Sequence, residues 1–553
     1  MKWYGLLVVA GLALAGPVTF SGSVGVSTEQ SRVSGTDSLV EPFSSLTITV
    51  NPSISFWGFP LSLDALISTQ ESNLRQQLDK FRFFLHPSEW VEGMTDVSGL
   101  ALAVKSVELG SCNPSWSPLV LSDVSVLGAA VELSPWKAYL AGTAGRSQRA
   151  VVVSDSTEGA YSRMLYAGKT GYGSKAGTHF YLTGLYANDD PNSLLNNQLP
   201  APGDTEPPID SFEVVLPQQN YVLGAEFNLL AGDDVFTLES EAAVSELARD
   251  NRLPVEDWDW LPGWVERIFK PRLSSSVDFA FRVRPALNLL NTRLYGELEY
   301  VGPGYVSLGA PSVSNDNFAI GAGFQRNLFD QSVSLSAVVS TERDNLLATR
   351  DSAGNELRLK STTTRFTSWE TDLSLAFPNL PYLQMGYYPY TERSDSAKSA
   401  ANVISVSTGH GFQTGSLSHS PSVTVSYNDL RGTDPSGDYT SWDAGVNYGL
   451  GFEFPLSLSA GTGYSRSVSS GAEPDTRLYL DVMPSYTAFE VWTNSLNLGA
   501  SLGSNTRLDA GFSSSFPAWK ICDARLGVSY AAYSGTDGKY NDLYLTAELT
   551  RSW

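Results

Sequence analysis

Histidine and cysteine, the side chains that most often bind metals or act in catalysis, are scarce in this sequence. The four histidines and the two cysteines are His86, His179, His410, His419, Cys112 and Cys522. No HxxH, HExxH or CxxC pattern occurs among them, so no motif supports a zinc site. His410 and His419 flank a turn and could meet on adjacent strands, but lumen or interface histidines are the simpler interpretation. The cysteine spacing leaves open whether the two thiols pair.

Motifs for nucleophilic catalysis and phosphate binding are missing as well. No GxSxG elbow stands at a strand-to-helix turn. The stretch Val301–Gly309 has close glycines, but neither the GxGxxG spacing nor a following helix. The pairs Asp189-Asp190 and Asp434/Asp438 could hold Ca²⁺ loosely, although solvated loop charge is the simpler interpretation. We therefore predict no catalytic, cofactor-binding or metal-binding residues, no cofactor and no enzymatic activity.

Charges of both signs cluster at one predicted strand end. In "TERDNLLATRD" the residues Glu342, Arg343 and Asp344 follow one another. They are possible lumen charges, as in the charge ladders of selective pores. The alternative, which we favour, is a salt-bridged rim that holds the next loop.

The composition excludes one class of partner and favours a two-faced structure. The net charge is −22, from 36 Lys and Arg against 58 Asp and Glu, and nucleic-acid binding needs clustered cations instead. Charged residues make up only 17% of the chain, below the roughly 25% of soluble domains. The acidity either keeps exposed loops soluble or lines a lumen that favours cations.

Apolar and polar residues alternate over roughly ten positions, again and again, between turn residues. "VTFSGSVGVS" (18–27) and "FPLSLSAGTGYS" (454–465) show the pattern, and the polar positions are mostly Ser, Thr and Gly. A period of two indicates strands, and this polar face is typical of a strand between lipid and a lumen. We predict an all-β fold: a single large antiparallel transmembrane β-barrel of 24–26 strands, with long loops and one or two short helices.

Three stretches interrupt the alternation. Glu71–Trp90 fits a helix and a strand about equally well, because its apolar residues satisfy both spacings. Asp189–Glu213 is rich in Pro and acidic residues and reads as a long, extracellular loop. Pro254–Pro271 holds three tryptophans between prolines, which indicates either a short amphipathic helix or lid, or an interfacial loop.

Residues 1–15 predict a secretory signal peptide, and residues 16–553 the barrel. Lys2 precedes a short apolar run that ends in Ala13-Leu14-Ala15, the pattern of an exported protein. The run is too short to span a bilayer, which takes about 20 residues. The expected location is therefore the outer membrane of a Gram-negative bacterium, reached by export and signal cleavage.

The last predicted strand, Tyr540–Trp553, has a clear apolar side. Leu543, Leu545, Ala547 and Leu549 should face lipid, with Tyr540 and Trp553 near the two interfaces where aromatic girdles sit. The pattern resembles the signal that the barrel-assembly machinery reads, and we assign Leu545, Leu549 and Trp553 to it. Arg551 departs from the usual apolar residue there, at little cost if its stem snorkels.

Two segments resemble a group of large predicted outer-membrane barrel proteins of Gram-negative bacteria. One is Asn113–Leu133. The other is Tyr300–Leu346, where the resembling residues are Pro303, Gly304, Tyr305, Ser307, Leu308, Gly309, Pro311, Asp316, Arg343, Asp344, Asn345 and Leu346. The resemblance implies an outer-membrane location and a barrel. It implies no catalytic residue, because many members of the group have no assigned substrate.

The leading functional hypothesis is an outer-membrane pore or an export or uptake channel. A barrel of this size must conduct or be plugged, and a plug would have to come from in-barrel loops or a partner. The alternatives are a scaffold or anchor for a surface or periplasmic assembly and, less favoured, an outer-membrane hydrolase. Expected partners are outer-membrane lipid, the barrel-assembly machinery and a plug or periplasmic protein, but no nucleic acid.

Overall fold

The structure, a computed structural model, describes most of the chain after residue 17. The described residues are 18–35, 44–56, 59–69, 80–85, 103–151, 159–194, 215–256, 270–346, 348–350, 356–358, 362–503, 505–518, 522–535 and 538–553. The predicted signal peptide, residues 1–15, lies outside them.

The described residues form thirty strands. They are β1 Val18–Gly35, β2 Ser44–Phe56, β3 Phe59–Ser68, β4 Lys80–Leu85, β5 Val104–Cys112, β6 Val126–Leu133, β7 Ala138–Gln148, β8 Arg163–Gly173, β9 His179–Asp189, β10 Gln219–Ala231, β11 Phe236–Ala248, β12 Ser275–Leu289, β13 Thr292–Val301, β14 Asn317–Leu328, β15 Val333–Asp344, β16 Ala348–Arg350, β17 Glu356–Arg358, β18 Arg365–Leu375, β19 Tyr382–Tyr387, β20 Tyr390–Arg393, β21 Lys398–Gly409, β22 Phe412–Thr414, β23 Leu417–Gly432, β24 Tyr439–Gly451, β25 Leu456–Ser469, β26 Asp475–Ala488, β27 Trp492–Gly503, β28 Thr506–Ala518, β29 Cys522–Gly535 and β30 Gly538–Ser552.

These strands close into one antiparallel barrel of 26 strands. Strands β19 and β20 lie end to end between β18 and β21, and β22 extends β21 along β23. The first strand pairs with both β2 and β30, which leaves the sheet without an edge. The predicted barrel of 24–26 strands is therefore confirmed. The β16–β17 hairpin forms a separate sheet.

Side-chain alternation gives the barrel two different faces. On β30 the odd-numbered Leu545 and Leu549 are exposed, together with large apolar residues of the neighbouring strands such as Leu526 and Val528. The opposite face of these strands carries mostly Ser, Thr, Gly and acidic residues. An apolar outer face and a polar inner face, with every ladder closed, satisfy the backbone in a bilayer.

The interface position predicted for Tyr540 is wrong. Its ring stacks on Tyr533 with 4.7 Å between centroids, on the same face as Asp542 and Tyr544, because residues two apart in a strand share a face. That face is the inner one, so Tyr540 lines the lumen and belongs to no outer girdle.

The two ends of the barrel differ in their connections. Residues 113–125, 149–162, 190–218, 249–274, 302–316 and 345–364 join strands at one end, which we call the long-loop end. Tight connections such as 134–137, 232–235 and 290–291 lie at the other, together with Val18 and Trp553. Outer-membrane barrels keep short turns on the periplasmic side and long loops outside.

The three interruptions of the alternation are resolved in part. Lys80–Leu85 forms strand β4, so the strand interpretation of Glu71–Trp90 is confirmed over these residues; 70–79 and 86–102 lie outside the described residues. Of Asp189–Glu213, residues 195–214 are also outside, as are 257–269 of Pro254–Pro271. No helix among the described residues is long and apolar enough to cross a membrane.

Candidate functional site: two loops packed inside the barrel

Two long loops pack against the wall of the barrel and against each other. They are residues 113–125, between β5 and β6, and residues 302–316, between β13 and β14; together we call them the inner loop pair. They contact the face of strand β10 that carries Asn220 and Val222. The other face of β10 carries Leu223 and Phe227, which are 63% and 39% exposed, and is the apolar outer face. The inner loop pair is therefore inside the lumen.

An apolar core joins the inner loop pair to the wall. The buried residues that form it are Trp116, Leu119, Val120, Leu121, Val126, Leu165, Leu185, Ala187, Val222, Ala243, Ala280, Val301 and Tyr305. Burying one Leu or Val side chain fully contributes about 1.5–3 kcal/mol. Several such side chains come from the loops themselves, so the loops are firmly seated parts of the fold.

Four hydrogen bonds tie the second loop to the first, one of them from the Ser312 hydroxyl to the Asp123 carboxylate at 2.9 Å. The Tyr305 hydroxyl donates to the carbonyl of Leu119 at 2.7 Å, and the Ser307 hydroxyl donates to the carbonyl of Val120 at 2.7 Å. The Ser122 amide donates to the carbonyl of Gly309 at 2.8 Å. Burial, followed by the charge of a nearby glutamate, raises the pKa of the Tyr305 phenol, so the hydroxyl stays protonated as a donor.

Gly309 shows how closely the loops approach the wall. A Cβ atom at this position would lie 2.1 Å from Cδ1 of Leu185 and 2.7 Å from the carbonyl oxygen of Val120. No real side chain tolerates such distances, and the carbonyl cannot move aside without disturbing the first loop. Glycine is therefore required for this contact.

Glu241 and Asn220 anchor the two loops to β11 and β10. Buried Glu241 accepts hydrogen bonds from the Ser117 hydroxyl and, at 3.2 Å, from the Leu119 amide. The side chain of Asn220 donates to the carbonyl of Val306 at 3.0 Å and accepts from the Leu308 amide at 2.9 Å. Both side chains therefore satisfy backbone groups that would otherwise be buried without partners.

A buried charged group lies beneath the first loop. Lys169 Nζ donates to the carbonyl of Trp116 at 2.5 Å and to Glu226 at 2.6 Å. Glu226 also bonds His179 Nε2 at 2.7 Å. The Lys169 ammonium lies 4.9 Å from the ring centroid of Tyr181, within range of a cation–π interaction. This group ties the first loop to strands β8, β9 and β10.

The two segments singled out by resemblance are the two loops that meet. Tyr305, Leu308 and Gly309 make the contacts given above. At the start of the second loop, Pro303 accepts a hydrogen bond from Asn315 at 3.1 Å, and the Gly304 amide donates to Asp278 at 2.7 Å.

The end of the second loop joins the other half of the motif. Buried Asp316 accepts hydrogen bonds from the amides of Asn345 at 3.0 Å and Leu346 at 2.8 Å. Asp344 accepts from the Thr364 amide at 2.6 Å. The motif residues therefore hold the second loop against the connection that follows β15, and these contacts give them a structural role.

The predicted group of lumen charges is wrong for Arg343. Direct register pairs run from Glu226 through Glu241, Arg282, Glu299 and Ala319 to Glu342. This row faces inward because Glu241 bonds the first loop directly, and Glu226 bonds Lys169, which bonds the same loop. Glu342 and Asp344 therefore face inward, and Arg343, one position apart, faces outward.

Sequence reasoning missed the charge pairs that do line the lumen. Arg282 bonds Glu299 at 2.5 Å and Arg284 bonds Glu297 at 2.5 Å, across β12 and β13. The signal was present, because both arginines alternate with apolar residues in "FAFRVRPAL". It was overlooked because pairing them with glutamates requires the strand register.

Among the described residues, the histidine and cysteine candidates do not gather into a cluster of metal ligands. Phe412 stacks on both His410 and His419, and His419 Nδ1 lies 2.5 Å from the Tyr448 hydroxyl. Within the described part of the chain, no three His, Cys, Asp or Glu side chains are grouped for a metal ion. Cys112 and Cys522 are both free thiols. His86 lies outside the described residues.

The acidic pairs considered for Ca²⁺ have protein partners. Asp189 accepts from Arg163 at 2.7 Å. Asp434 accepts from the Ser436 amide at 3.0 Å, which lowers the pKa of its carboxyl. Asp438 accepts from the Gly432 amide at 2.8 Å. These carboxylates cap turns and pair with arginine.

The residues assigned to an assembly signal lie along the seam of the barrel. Leu545 and Leu549 are on the outer face. Trp553 exchanges two backbone hydrogen bonds of 3.1 Å with Gly22. Their reading by an assembly machinery stays a prediction.

A closed sheet with an apolar outer wall, a polar lumen and long loops at one end decides the architecture. The chain folds as a large outer-membrane β-barrel. No family model and no curated protein matches the sequence of this barrel.

Several solved structures resemble the barrel distantly. OpdK of Pseudomonas aeruginosa, solved with vanillate, is 12% identical with a TM-score of 0.29, over 61% of this chain and 93% of that one. The translocation pore of the P pilus usher PapC is 13% identical with a TM-score of 0.26, over 96% and 99%. A BenF-like porin from Pseudomonas fluorescens Pf-5 is 8% identical with a TM-score of 0.30, over 61% and 91%.

Proposed function

We propose that this outer-membrane β-barrel is an aqueous channel whose passage runs beside the inner loop pair. The observation that carries the proposal is the one-sided seating of the loops. Their described contacts reach the wall from β6 to β13, and Asp316 also bonds the Asn345 amide just after β15. Across the described residues of β23–β30, no hydrogen bond or core contact joins the wall to either loop.

The size of the barrel supports a passage beside the loops. Strands spaced about 4.8 Å apart and tilted by about 40° give a round barrel of 26 strands a backbone diameter of roughly 50 Å. Two loops seated on less than half of that circumference leave the facing wall uncovered by their described residues.

The uncovered wall is suited to hydrated solutes and favours cations. On β25 the inner positions are Ser457, Ser459, Gly461, Gly463 and Ser465, which are small and mostly hydroxylated. On neighbouring strands the inner face carries acidic residues at Asp443, Asp481 and Asp542, whereas Asp509 on the same face pairs with Arg507 at 2.9 Å. Rings of acidic side chains attract cations in channels, so we expect potassium to pass more readily than chloride.

Single-channel recording in planar bilayers tests the proposal. The full chain should give stable currents, and a tenfold KCl gradient should give a reversal potential of the sign for cation selectivity. Replacing residues 114–124 by a short Gly/Ser linker should increase the conductance, because the lumen loses part of its filling.

A correctly assembled barrel that carries no current, with and without residues 114–124, would overturn the channel. That result would favour the scaffold or anchor, since a blocked lumen does not prevent a barrel from holding an assembly. Heat-modifiable gel mobility establishes assembly in both cases.

A further inference from the structure

Four cationic side chains stand side by side on the outer wall at the long-loop end. They are Arg343, Arg365, Arg393 and Lys398, which we call the rim cation row. Arg343 is directly opposite Arg365, Arg365 opposite Arg393, and Arg393 opposite Lys398. Four adjacent positions of the barrel wall therefore carry a positive charge at one level.

The strand register places this row on the outside. Glu342, Phe366 and Glu392 continue the inward-facing row that begins at Glu226. Each member of the rim cation row is one residue away from that inner row, and successive residues of a strand point to opposite faces. All four side chains are exposed.

No carboxylate in the described part of the chain forms an ion pair with the row. Among the described residues, no ion pair involves Arg343, Arg365, Arg393 or Lys398. The nearby outward-facing Arg431, by contrast, bonds Asp429 at 2.8 Å and Asp438 at 3.4 Å. Directly opposite side chains lie about 5 Å apart at Cβ, and like charges there are destabilising. A row of four such charges is explained if an external anion lies against it.

The next residues toward the membrane form an interfacial gradient. Thr341, Thr367 and Thr391 make the adjacent outward row, and the hydroxyls of Thr341 and Thr367 are 3.2 Å apart. Below them Trp369 and Tyr387 are exposed, at 55% and 44%. Aromatic residues of this kind sit at the headgroup level of the bilayer. The rim cation row therefore stands on the loop side of these aromatic residues, where it faces the outer part of the headgroup region.

We propose that the rim cation row binds the phosphate groups of an anionic lipid in the leaflet at the long-loop end. Arginine offers paired N–H groups that match phosphate oxygens, and lysine adds a point charge. The threonine hydroxyls can donate to the same headgroup, and the acyl chains continue down the apolar wall. A lipid fits better than a free phosphate because the row stands directly above that wall.

Binding of lipid A to the purified, delipidated barrel tests the proposal. The probes are lipid A with both phosphates, the same lipid without phosphates, and inorganic phosphate as a competitor. A cation near a membrane surface contributes about 1 kcal/mol, or about fivefold in affinity. Arg365→Gln, in the middle of the row, should weaken phosphorylated lipid A about fivefold. The variant R343Q/R365Q/R393Q/K398Q should weaken it more than fiftyfold.

A charge-matched control removes four cations elsewhere. In R326Q/R477Q/R507Q/R525Q, one cation is lost from the outer wall at the short-turn end and three from the lumen, where they pair with Asp475, Asp509 and Glu548. The control should bind lipid A as the unmodified barrel does. Heat-modifiable mobility shows whether each variant has assembled. If the fourfold variant does not assemble, the single Arg365→Gln variant still tests the proposal.

Three results would overturn the proposal. They are equal binding of lipid A by the row variant and the unmodified barrel, equal binding of the lipid without phosphates, and an equal loss in the control. Displacement of lipid A by inorganic phosphate at similar concentration would assign the row to a free anion instead of a lipid. None of these outcomes depends on whether the barrel conducts.

Discussion

Glu241→Ala should release the first of the two inner loops while leaving the barrel intact. Glu241 is on the inner face of β11 and is buried by the loop that it holds. The substitution removes the acceptor for the Ser117 hydroxyl and the Leu119 amide, while all ladder hydrogen bonds of β11 remain. The perturbation is therefore confined to the anchoring of the loop.

The magnitude follows from the two donors left without partners. A buried donor that loses its partner costs about 1–3 kcal/mol, so the two together destabilise the seated loop by about 2–6 kcal/mol. Ten-fold in an equilibrium constant corresponds to about 1.4 kcal/mol. The population of detached loop should therefore rise by a factor of roughly 30 to 20,000.

A thiol on the loop reports this population. Ser122 is buried at the contact between the two loops, so Ser122→Cys places a small, protected thiol there, with Cys112 and Cys522 changed to Ser. A hydrophilic maleimide should label this thiol at least tenfold faster when Glu241→Ala is added. Single-channel currents of the same protein should show larger and more variable conductance.

Glu239→Ala is the matched control, because Glu239 lies two residues away on the same face of β11, is exposed and touches neither loop. Labelling of Cys at position 122 should be unchanged by it. Equal labelling rates with and without Glu241→Ala would refute the anchoring role, and equal acceleration by Glu239→Ala would show a general effect of charge.

Three further changes have definite expected outcomes. Lys169→Met should lower the thermal stability of the barrel, because it breaks a buried ion pair, which costs about 3–5 kcal/mol, and frees the carbonyl of Trp116; an unchanged melting temperature would exclude this. Burial alone would raise the pKa of the Asp250 carboxyl, but the hydrogen bonds and charge of Arg252 outweigh burial and lower it. The stabilisation of the rim at residues 249–256 is therefore present above the unfolded pKa of about 4 and is lost as the pH falls through the folded value. The amide protection factors there, which compare each observed exchange rate with the intrinsic rate at the same pH, should therefore fall on acidification, and Asp250→Asn should abolish that pH dependence. Deleting Trp553 should reduce assembled barrel much more than Trp553→Phe, which keeps both backbone bonds of the seam; equal yields would contradict a role of the backbone pairing.

The barrel could be predicted from the sequence because its rule is local. Every strand needs apolar residues at alternate positions, and this shows in any ten residues, as in "FPLSLSAGTGYS". The same local rule placed Leu545 and Leu549 on the outer face correctly. It failed for Tyr540, because an aromatic residue at a strand end suits either face until the register is known.

The inner loop pair could not be predicted in the same way. Tyr305 and Leu119 are partners only because β8–β12 bring two distant hairpins to one stretch of wall, and no periodicity encodes that approach. Resemblance pointed to both segments, but without a reason. The structure supplies the reason in Gly309, whose position admits no side chain. Arg343 was misplaced for the opposite cause, since its neighbours in sequence lie on the other face of the sheet.

The separation along the chain between the two inner loops has a consequence for assembly. The bond from Tyr305 to Leu119 spans 186 residues, and closing so long a segment is slow and costs entropy. If strands are added in chain order, the apolar residues of the first loop remain exposed until β13 and β14 have formed and the second loop can pack on them. Half-built barrels should therefore be the species most prone to aggregation and to proteolysis at residues 113–125, and the finished loop contact would mark the point at which that vulnerability ends.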